Sequence, residues 1–138
     1  MTTPTKTLRL QPRLRTEIDR IAKRTRRSFS EVTQDLLEEA LRTRECPGIY
    51  FADEPAGREA KIAGTGLGVW EVIRDYLAAG RDERALRKAF PQLSEAQFKA
   101  GLLYYRKYPQ EIDAQIAENT ALTREAVEAK FPGLVRTA

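Results

Sequence analysis

The segment that most constrains the fold of this chain is a short run of alternating residues, from Thr5 to Leu10, with no neighbour to pair with. Leu8 and Leu10 would lie on one face of an extended strand. The opposite face would carry the polar side chains of Thr5, Thr7 and Arg9. No second strand-like segment lies nearby, and an isolated strand leaves its backbone hydrogen-bonding groups unmet. The simplest partner is the same segment of a second copy, so the pattern predicts a homodimer.

Two amphipathic helices are predicted directly after this segment. Pro12 suits the first turn of a helix, and the apolar residues that follow at helical spacing are Leu14, Ile18, Ile21 and Ala22. The residues from Ser28 to Glu31 form a capping box that starts a second helix, predicted to reach about Arg44. Its apolar positions are Val32, Leu36, Leu37, Ala40 and Leu41. The two helices carry too little apolar surface to form the core of a monomer, so they also favour dimerisation.

Positive charge is concentrated in the same part of the chain. Residues 1–44 contain 11 Lys and Arg against 6 Asp and Glu, whereas residues 45–138 contain 13 against 14. A basic patch attracts the phosphates of nucleic acid because binding releases their counterions. A surface tuned for solubility would also be charged, but it would not need this regional concentration. The distribution therefore favours a nucleic-acid partner.

Three motifs follow one another within residues 5–44: Leu8-x-Leu10, Pro12-Arg13-Leu14 and Arg27-Ser28-x-Ser30-Glu31-Val32. In this order they resemble the MetJ/Arc/CopG ribbon-helix-helix superfamily. The resemblance implies that two strands pair and enter the major groove of DNA. It implies that Thr5, Thr7 and Arg9 contact base edges. It also implies that the start of the second helix binds phosphate, through Arg26, Arg27, Ser28 and Ser30.

The turn between the two helices departs from the pattern of that superfamily. Glycine often stands where this chain has Arg26, because glycine adopts the left-handed conformation without strain. Two outcomes are therefore open. Either Arg26 takes the left-handed conformation at a modest cost, or the turn has another shape.

The sequence pattern of residues 49–108 predicts a second module, in which a short hairpin precedes three helices. The extended pieces are 49–51 and 59–62, and the first helices are predicted from Val69 to Gly80 and from Asp82 to Ala89. After a short turn, Ser94 opens another capping box, so the last two helices have the outline of a helix-turn-helix.

The glycine-rich stretch from Gly64 to Gly68 lies between the hairpin and the first of these helices. It lacks the Lys-Ser/Thr ending of a phosphate-binding loop, and its spacing is not that of a dinucleotide site. We interpret it as a tight turn into the helix.

The motifs of this module are Gly64-Thr65, Val69 at a helix start, Ala79-Gly80, Phe90-Pro91-x-Leu93-Ser94 and the stretch from Ala100 to Tyr105. They are similar to the bacterial domain-of-unknown-function family 433. The resemblance implies a small winged-helix-like fold and an association with antitoxins of toxin–antitoxin operons. Gly66 stands where the family usually carries arginine, so any role of that arginine is absent here.

Lys99 and Arg106 are candidates for a second DNA contact, because both lie on one outer face of the third helix of this module. The alternatives are that the helix-turn-helix only packs a core, or that it serves dimerisation or contact with a toxin.

The last segment, residues 109–138, is predicted as a helical extension. The third helix either continues past Pro109 with a kink or restarts at Gln110 and runs to Glu118. Asn119 and Thr120 are predicted to break it, and Thr123 to cap a further helix to about Lys130. Residues 126–134 resemble residues 85–93, either as a truncated duplication or by chance.

Composition disfavours several kinds of chemistry. The chain has no histidine and a single cysteine, Cys46, which removes the commonest general base and any Cys/His metal cluster. We therefore expect no catalysis, no metal and no cofactor. The lone cysteine and the lack of a long apolar run predict a cytoplasmic protein without a membrane segment.

These observations predict a mainly α-helical protein in three parts: a ribbon-helix-helix module at 1–44, a helix-turn-helix module at 49–108 and an extension at 109–138. The predicted function is a homodimeric transcriptional repressor of its own operator. The family resemblance adds the role of a type II antitoxin that neutralises a PIN-like ribonuclease toxin. The alternative is a regulator without a toxin, with a small ligand bound under Trp70.

Overall fold

The computed structural model describes residues 3–133 and divides the chain into two compact units, with the boundary between Arg42 and Thr43. This part of the chain holds six α-helices and one two-stranded antiparallel sheet, which confirms the mainly helical class. Leu134, the last residue of the segment that resembles residues 85–93, lies outside the described residues.

The N-terminal unit consists of an extended segment and two helices. The helices are α1, Pro12–Thr25, and α2, Phe29–Glu45, close to the predicted bounds. Residues 3–11 have no regular secondary structure in the single chain. A strand is defined by its hydrogen bonds to another strand, so the pairing of residues 5–10 across two copies stays a prediction.

The turn between α1 and α2 takes the first of the two predicted forms. Arg26 has the left-handed conformation, with φ 55° and ψ 41°, and its N–H points at the carbonyls of Ala22 and Lys23. The N–H of Arg27 also donates to Ala22 O, at 3.0 Å, so the last carbonyls of α1 are satisfied. Left-handed residues outside glycine are uncommon, so the hydrogen bonds of this cap offset a modest strain at Arg26.

The N-terminal unit buries few side chains and exposes many leucines. Ile18, Ala22 and Val32 are buried, and Leu10, Ile21 and Phe29 pack partly against them. The large apolar side chains that stay exposed are Leu8, Leu14, Leu36, Leu37 and Leu41, and we call this set the leucine surface.

The C-terminal unit begins with the predicted hairpin and continues with four helices. Strands β1, Ile49–Glu54, and β2, Gly57–Ile62, pair antiparallel, with Ile49 opposite Ile62. The helices are α3, Val69–Ala78; α4, Glu83–Ala89; α5, Glu95–Lys107; and α6, Pro109–Lys130. Asp82 caps α4, and Ser94 forms the predicted capping box with Gln97 at the start of α5.

One core joins the hairpin and the helices of this unit. Ile62, Ile73, Tyr104 and Ile112 are fully buried in it. A Cβ atom on Gly101 would lie 2.9 Å from Ile62 Cδ1, so the hairpin packs directly on the backbone of α5. Because Ile112 belongs to α6, the segment predicted as an extension begins inside the same core.

The predicted break at Asn119 and Thr120 is wrong, since α6 runs without interruption from Pro109 to Lys130. The Thr120 hydroxyl donates to the carbonyl of Ile116 at 3.0 Å, as a threonine within a helix does. Thr123 lies inside α6, so it does not cap a new helix as predicted. Asn and Thr cost a helix only about 0.7 kcal/mol each, which is too little to end a long helix. Pro109 does mark a helix boundary, because the backbone of Tyr108 is not helical.

Candidate nucleic-acid interface

The side chains predicted to read bases are all exposed in the single chain. Thr5, Thr7 and Arg9 precede α1, and no carboxylate within residues 3–133 pairs with Arg9. On the other side of the same segment, Leu10 packs against the small core, whereas Leu8 is 68% exposed. The segment therefore has one polar side that is open to a ligand and one apolar side that is only half covered.

Arg27, predicted to bind phosphate, is engaged within the chain. Its guanidinium bonds to the carboxylate of Asp35 and lies 3.4 Å from that of Glu31. The hydrogen bond to Asp35 raises the pKa of Arg27. A phosphate at this point would have to compete with two carboxylates for the same guanidinium.

The capping box occupies part of the predicted phosphate site at the start of α2. The Ser28 hydroxyl accepts from the N–H of Glu31 at 3.0 Å, and the Ser28 N–H donates to Glu31 Oε1 at 3.3 Å. The hydrogen bonds to Ser28 hold the pKa of Glu31 below its usual range. Ser30 Oγ accepts from Gln34 at 3.3 Å. Ser28 is thus committed to the helix cap.

Three donors remain open at this turn. The backbone N–H groups of Phe29 and Ser30 donate to no acceptor in the described part of the chain. Arg26, at the preceding turn, is exposed and forms no ion pair with any residue in the range 3–133. Of the predicted phosphate set, Arg26 and the amide of Ser30 are therefore the groups that are free to meet an anion.

The second predicted DNA contact lies on α5. Lys99 and Arg106 are two turns apart and both exposed. Lys99 Nζ lies 3.0 Å from the carboxylate of Glu95, and this hydrogen bond raises the pKa of Lys99. The pair neutralises Lys99, which leaves Arg106 as the stronger cation on this face.

Sequence reasoning missed a basic group on α4. Arg84, Arg87 and Lys88 line an open depression together with Glu83 and Glu95, and none of the three cations forms an ion pair among residues 3–133. The signal was present in the sequence, because positions i, i+3 and i+4 share one face of a helix. This group adds positive charge to the side of the helix-turn-helix that Lys99 and Glu95 also occupy.

The glycine-rich stretch is the predicted tight turn. Gly64 and Gly66 have φ values of 82° and 70°, which favour glycine. The Thr65 hydroxyl donates to Ile62 O at 2.8 Å and accepts from the N–H of Leu67 at 3.0 Å. The stretch thus closes on itself and leads into α3.

Two other kinds of site are absent from the described residues. No three His, Cys, Asp or Glu side chains within 3–133 gather closely enough to hold a metal ion. None of the helices in that range has the length and apolar character needed to cross a bilayer.

Comparison with known proteins identifies one part of the chain. Residues 52–105 match the model of a family described as protein of unknown function (DUF433). No curated protein matches the chain, and no solved structure does. The match starts within β1 and ends within α5, which confirms the resemblance predicted for this module and leaves the N-terminal unit outside it.

Proposed function

We propose that this chain is a homodimeric, DNA-binding transcriptional regulator that represses its own operon. The observation that carries the proposal is the incomplete core of the N-terminal unit. In the described part of this unit three side chains are buried, whereas the five residues of the leucine surface stay exposed. A second copy of the unit supplies what one copy lacks, which is a cover for the leucines and a partner for residues 5–10.

Dimerisation would be favoured by the burial of the exposed leucines. Fully burying one leucine contributes about 1.5–3 kcal/mol, and a two-fold interface counts each residue twice. Antiparallel pairing of residues 5–10 also satisfies the backbone groups that a lone strand exposes. The burial of leucines and the pairing of strands both result from one arrangement of the two copies. This supports a dimer with a paired ribbon over other arrangements of the dimer.

The same pairing arranges the polar side chains for DNA. A two-stranded ribbon fits the major groove, and its outward face would carry Thr5, Thr7 and Arg9 from both copies. Arg9 has the fork geometry for the O6 and N7 atoms of guanine, and the threonine methyl groups suit thymine. Arg26 and the amide of Ser30 would hold the phosphates on either side of the groove.

Substituting Arg9 tests base reading. We expect Arg9→Ala to lose about 1–3 kcal/mol of the preference for DNA from upstream of its own gene over scrambled DNA. Arg20→Ala is the matched control, because Arg20 pairs with Glu17 on α1 at 3.3 Å and lies outside the predicted ribbon. The control should weaken binding to both DNAs by the same factor.

The measurement is fluorescence anisotropy of both labelled DNAs at several salt concentrations. Specific binding should exceed non-specific binding at every salt concentration, and both should fall as salt rises. If wild type and Arg9→Ala bind both DNAs equally and weakly, the N-terminal charge is a non-specific patch, and the repressor proposal fails.

The C-terminal unit is proposed to bind the toxin of a type II toxin–antitoxin operon, a PIN-like ribonuclease. The distal part of α6 exposes Leu122 and Val127, and Phe131, directly after the helix, is exposed too, which suits a protein partner. Residues 45–138 carry 13 basic against 14 acidic side chains, so this part of the chain is nearly neutral. We therefore expect apolar contacts to contribute most of the binding to the toxin.

Co-expression with the product of the neighbouring gene tests the toxin. We expect the two proteins to co-purify and the ribonuclease to be inactive in the complex. The double variant Val127→Asp and Phe131→Asp should lose the complex while binding DNA as wild type does. If the neighbouring product does not bind, the regulator acts without a toxin, which is the alternative predicted from sequence.

A further inference from the structure

The open depression beside α4, in the C-terminal unit, is lined by charged side chains. Its volume of about 570 Å³ is far above the roughly 30 Å³ that one water molecule occupies, so it has room for more than one phosphate group. The described residues that line it are Glu83, Arg84, Arg87, Lys88 and Glu95. The centre of a protein–protein interface is depleted of charged residues and enriched in aromatic ones, whereas DNA-binding surfaces are polar and positive. The lining therefore suits nucleic acid better than a protein.

The three cations of the lining share one face of α4. Arg84, Arg87 and Lys88 stand three and four residues apart, all three are exposed, and we call them the α4 basic group. Leu86 lies on the opposite side of the helix and is buried in the core. Because the core holds the Leu86 side of α4, the basic group is kept on the outside.

The α4 basic group has no partner in the described part of the chain. None of its three side chains forms an ion pair or donates a hydrogen bond to any residue within 3–133. Other arginines of the same unit differ, since Arg58 and Arg74 each lie within ion-pair distance of a carboxylate. A guanidinium without a carboxylate keeps its forked N–H donors for a ligand.

The two carboxylates of the depression act on Lys99 of α5. Glu95 lies 3.0 Å from Lys99 Nζ, and this hydrogen bond raises the pKa of Lys99, with a smaller contribution from the charge of Glu83. Lys99 in turn lowers the pKa of Glu95, and Arg87 adds a smaller effect from beyond ion-pair distance. With Lys99 included, four positive charges stand against two negative ones, a balance of +2. The depression therefore attracts an anion.

The place of α4 in the fold agrees with a contact to the DNA backbone. Residues 90–94 join α4 to α5, and the two helices follow the order of a helix-turn-helix. When such a module binds DNA, its first helix crosses the backbone while its second lies in the major groove. Leu86 of α4 and Phe98 of α5 are buried in one core, which fixes both helices. The α4 basic group thus belongs to the helix that would meet phosphates.

We propose that the α4 basic group binds the phosphate backbone of double-stranded DNA, as a contact separate from the ribbon. Arg84 and Arg87 would each hold two phosphate oxygens through the guanidinium fork, and Lys88 would add a point charge. Phosphate contacts carry no sequence information, so this surface would bind any DNA sequence. The contact goes beyond the proposed function, in which the C-terminal unit binds a toxin. It does not depend on the ribbon, because all its residues belong to the C-terminal unit.

A double substitution in the full-length protein tests this contact. Arg84→Gln with Lys88→Gln removes two positive charges and keeps side chains that suit a helix. We expect the affinities for upstream and for scrambled DNA to fall by the same factor, about tenfold or more at about 0.1 M salt. The preference between the two DNAs should not change. The slope of log affinity against log salt concentration should become shallower by about 0.9 for each phosphate contact that is lost.

Arg124→Gln with Lys130→Gln is the matched control. It also removes one arginine and one lysine from exposed positions of the C-terminal unit, but these lie on α6, outside the depression. The control should keep the salt slope of the wild type with both DNAs. Trp70 is the only tryptophan of the chain, so its emission during urea denaturation checks that both variants are as stable as the wild type.

Chemical modification of lysines locates the contact in the unchanged protein. An excess of scrambled DNA should slow the acetylation of Lys88 by an N-hydroxysuccinimide ester, because bound phosphate shields the amine. Lys130, which is exposed on α6, should react at the same rate with and without DNA. Peptide mass spectrometry at several reaction times measures both rates.

The contact of α4 and the repressor function can fail separately. If the α4 double variant keeps the affinity and salt slope of the control, or if DNA protects Lys88 no more than Lys130, the DNA contact is overturned in favour of an acidic protein partner. Base reading by Arg9 is unaffected by that result. If the wild type shows no preference for upstream DNA, but its weak binding falls in the α4 double variant, the repressor function fails and the α4 contact is supported.

Discussion

A single charge on the leucine surface, introduced as Leu37→Glu, is expected to make the protein monomeric at micromolar concentration and to lower its affinity for operator DNA about a hundredfold or more. Leu37 is 55% exposed in the single chain and lies on α2 with Leu36 and Leu41. In a two-fold dimer the substitution places two carboxylates at one interface. In the proposed mode of binding, a monomer would present half of the base and phosphate contacts and would lack the second strand of the ribbon.

The matched control for this variant is Leu122→Glu. Leu122 is exposed to a similar extent, 51%, but it belongs to α6 in the other unit. Sedimentation velocity gives the mass of each variant, and anisotropy gives the DNA affinity. The emission of Trp70 checks that the C-terminal unit of Leu37→Glu remains folded. A Leu37→Glu protein that is still dimeric and binds DNA like wild type would exclude the proposed interface.

The second large effect is expected in the core of the C-terminal unit. Tyr104→Ala should destabilise this unit by about 3–5 kcal/mol, because it removes a whole aromatic side chain from a closed core. Tyr104 is fully buried. Its ring lies 6.2 Å from that of Phe51 and 4.9 Å from that of Tyr108, measured between centroids, and its hydroxyl bonds to Glu111.

The neighbouring residue supplies the control for this substitution. Tyr105 is only partly buried, and its hydroxyl bonds to Asp113 at 2.8 Å, so Tyr105→Ala should cost much less. Tyr104→Phe separates the ring from the hydroxyl and should cost about 1 kcal/mol. Urea denaturation followed by Trp70 fluorescence measures all three variants. Equal losses for Tyr104→Ala and Tyr105→Ala would contradict the core described above.

Local features of the chain were predictable because their causes are local. The capping boxes at Ser28 and Ser94 depend on a hydroxyl and a carboxylate or amide three residues apart, and both form as predicted. The hairpin was predicted for the same reason, whereas the sequence left two forms of the turn at Arg26 open. The predicted break at Asn119 and Thr120 was wrong because their low helix propensity is a weak local effect. The part of α6 that precedes them packs in the core through Ile112, and the helix continues beyond them.

Which charged side chains form ion pairs within the chain was not predictable from their spacing alone. Arg27 was expected to face phosphate, yet it bonds to Asp35, eight residues away, whereas Arg26 beside it stays open. Both arginines stand in the same stretch of sequence. Their positions in the sequence do not distinguish the two side chains.

The sequence by itself determined the first five helices, the capping boxes at Ser28 and Ser94, the hairpin and the concentration of positive charge before Glu45, since each depends on residues close together in the chain. Tertiary structure alone decided which side chains share a surface. Glu59 meets Trp70 across eleven positions, and both line one small cleft together with Gln115 of α6. Such contacts depend on how β2, α3 and α6 pack around one core, and no periodicity in the chain records that packing. The same reason explains the leucine surface: helical spacing predicted an apolar stripe, but only the fold shows that one copy of the chain leaves most of it uncovered.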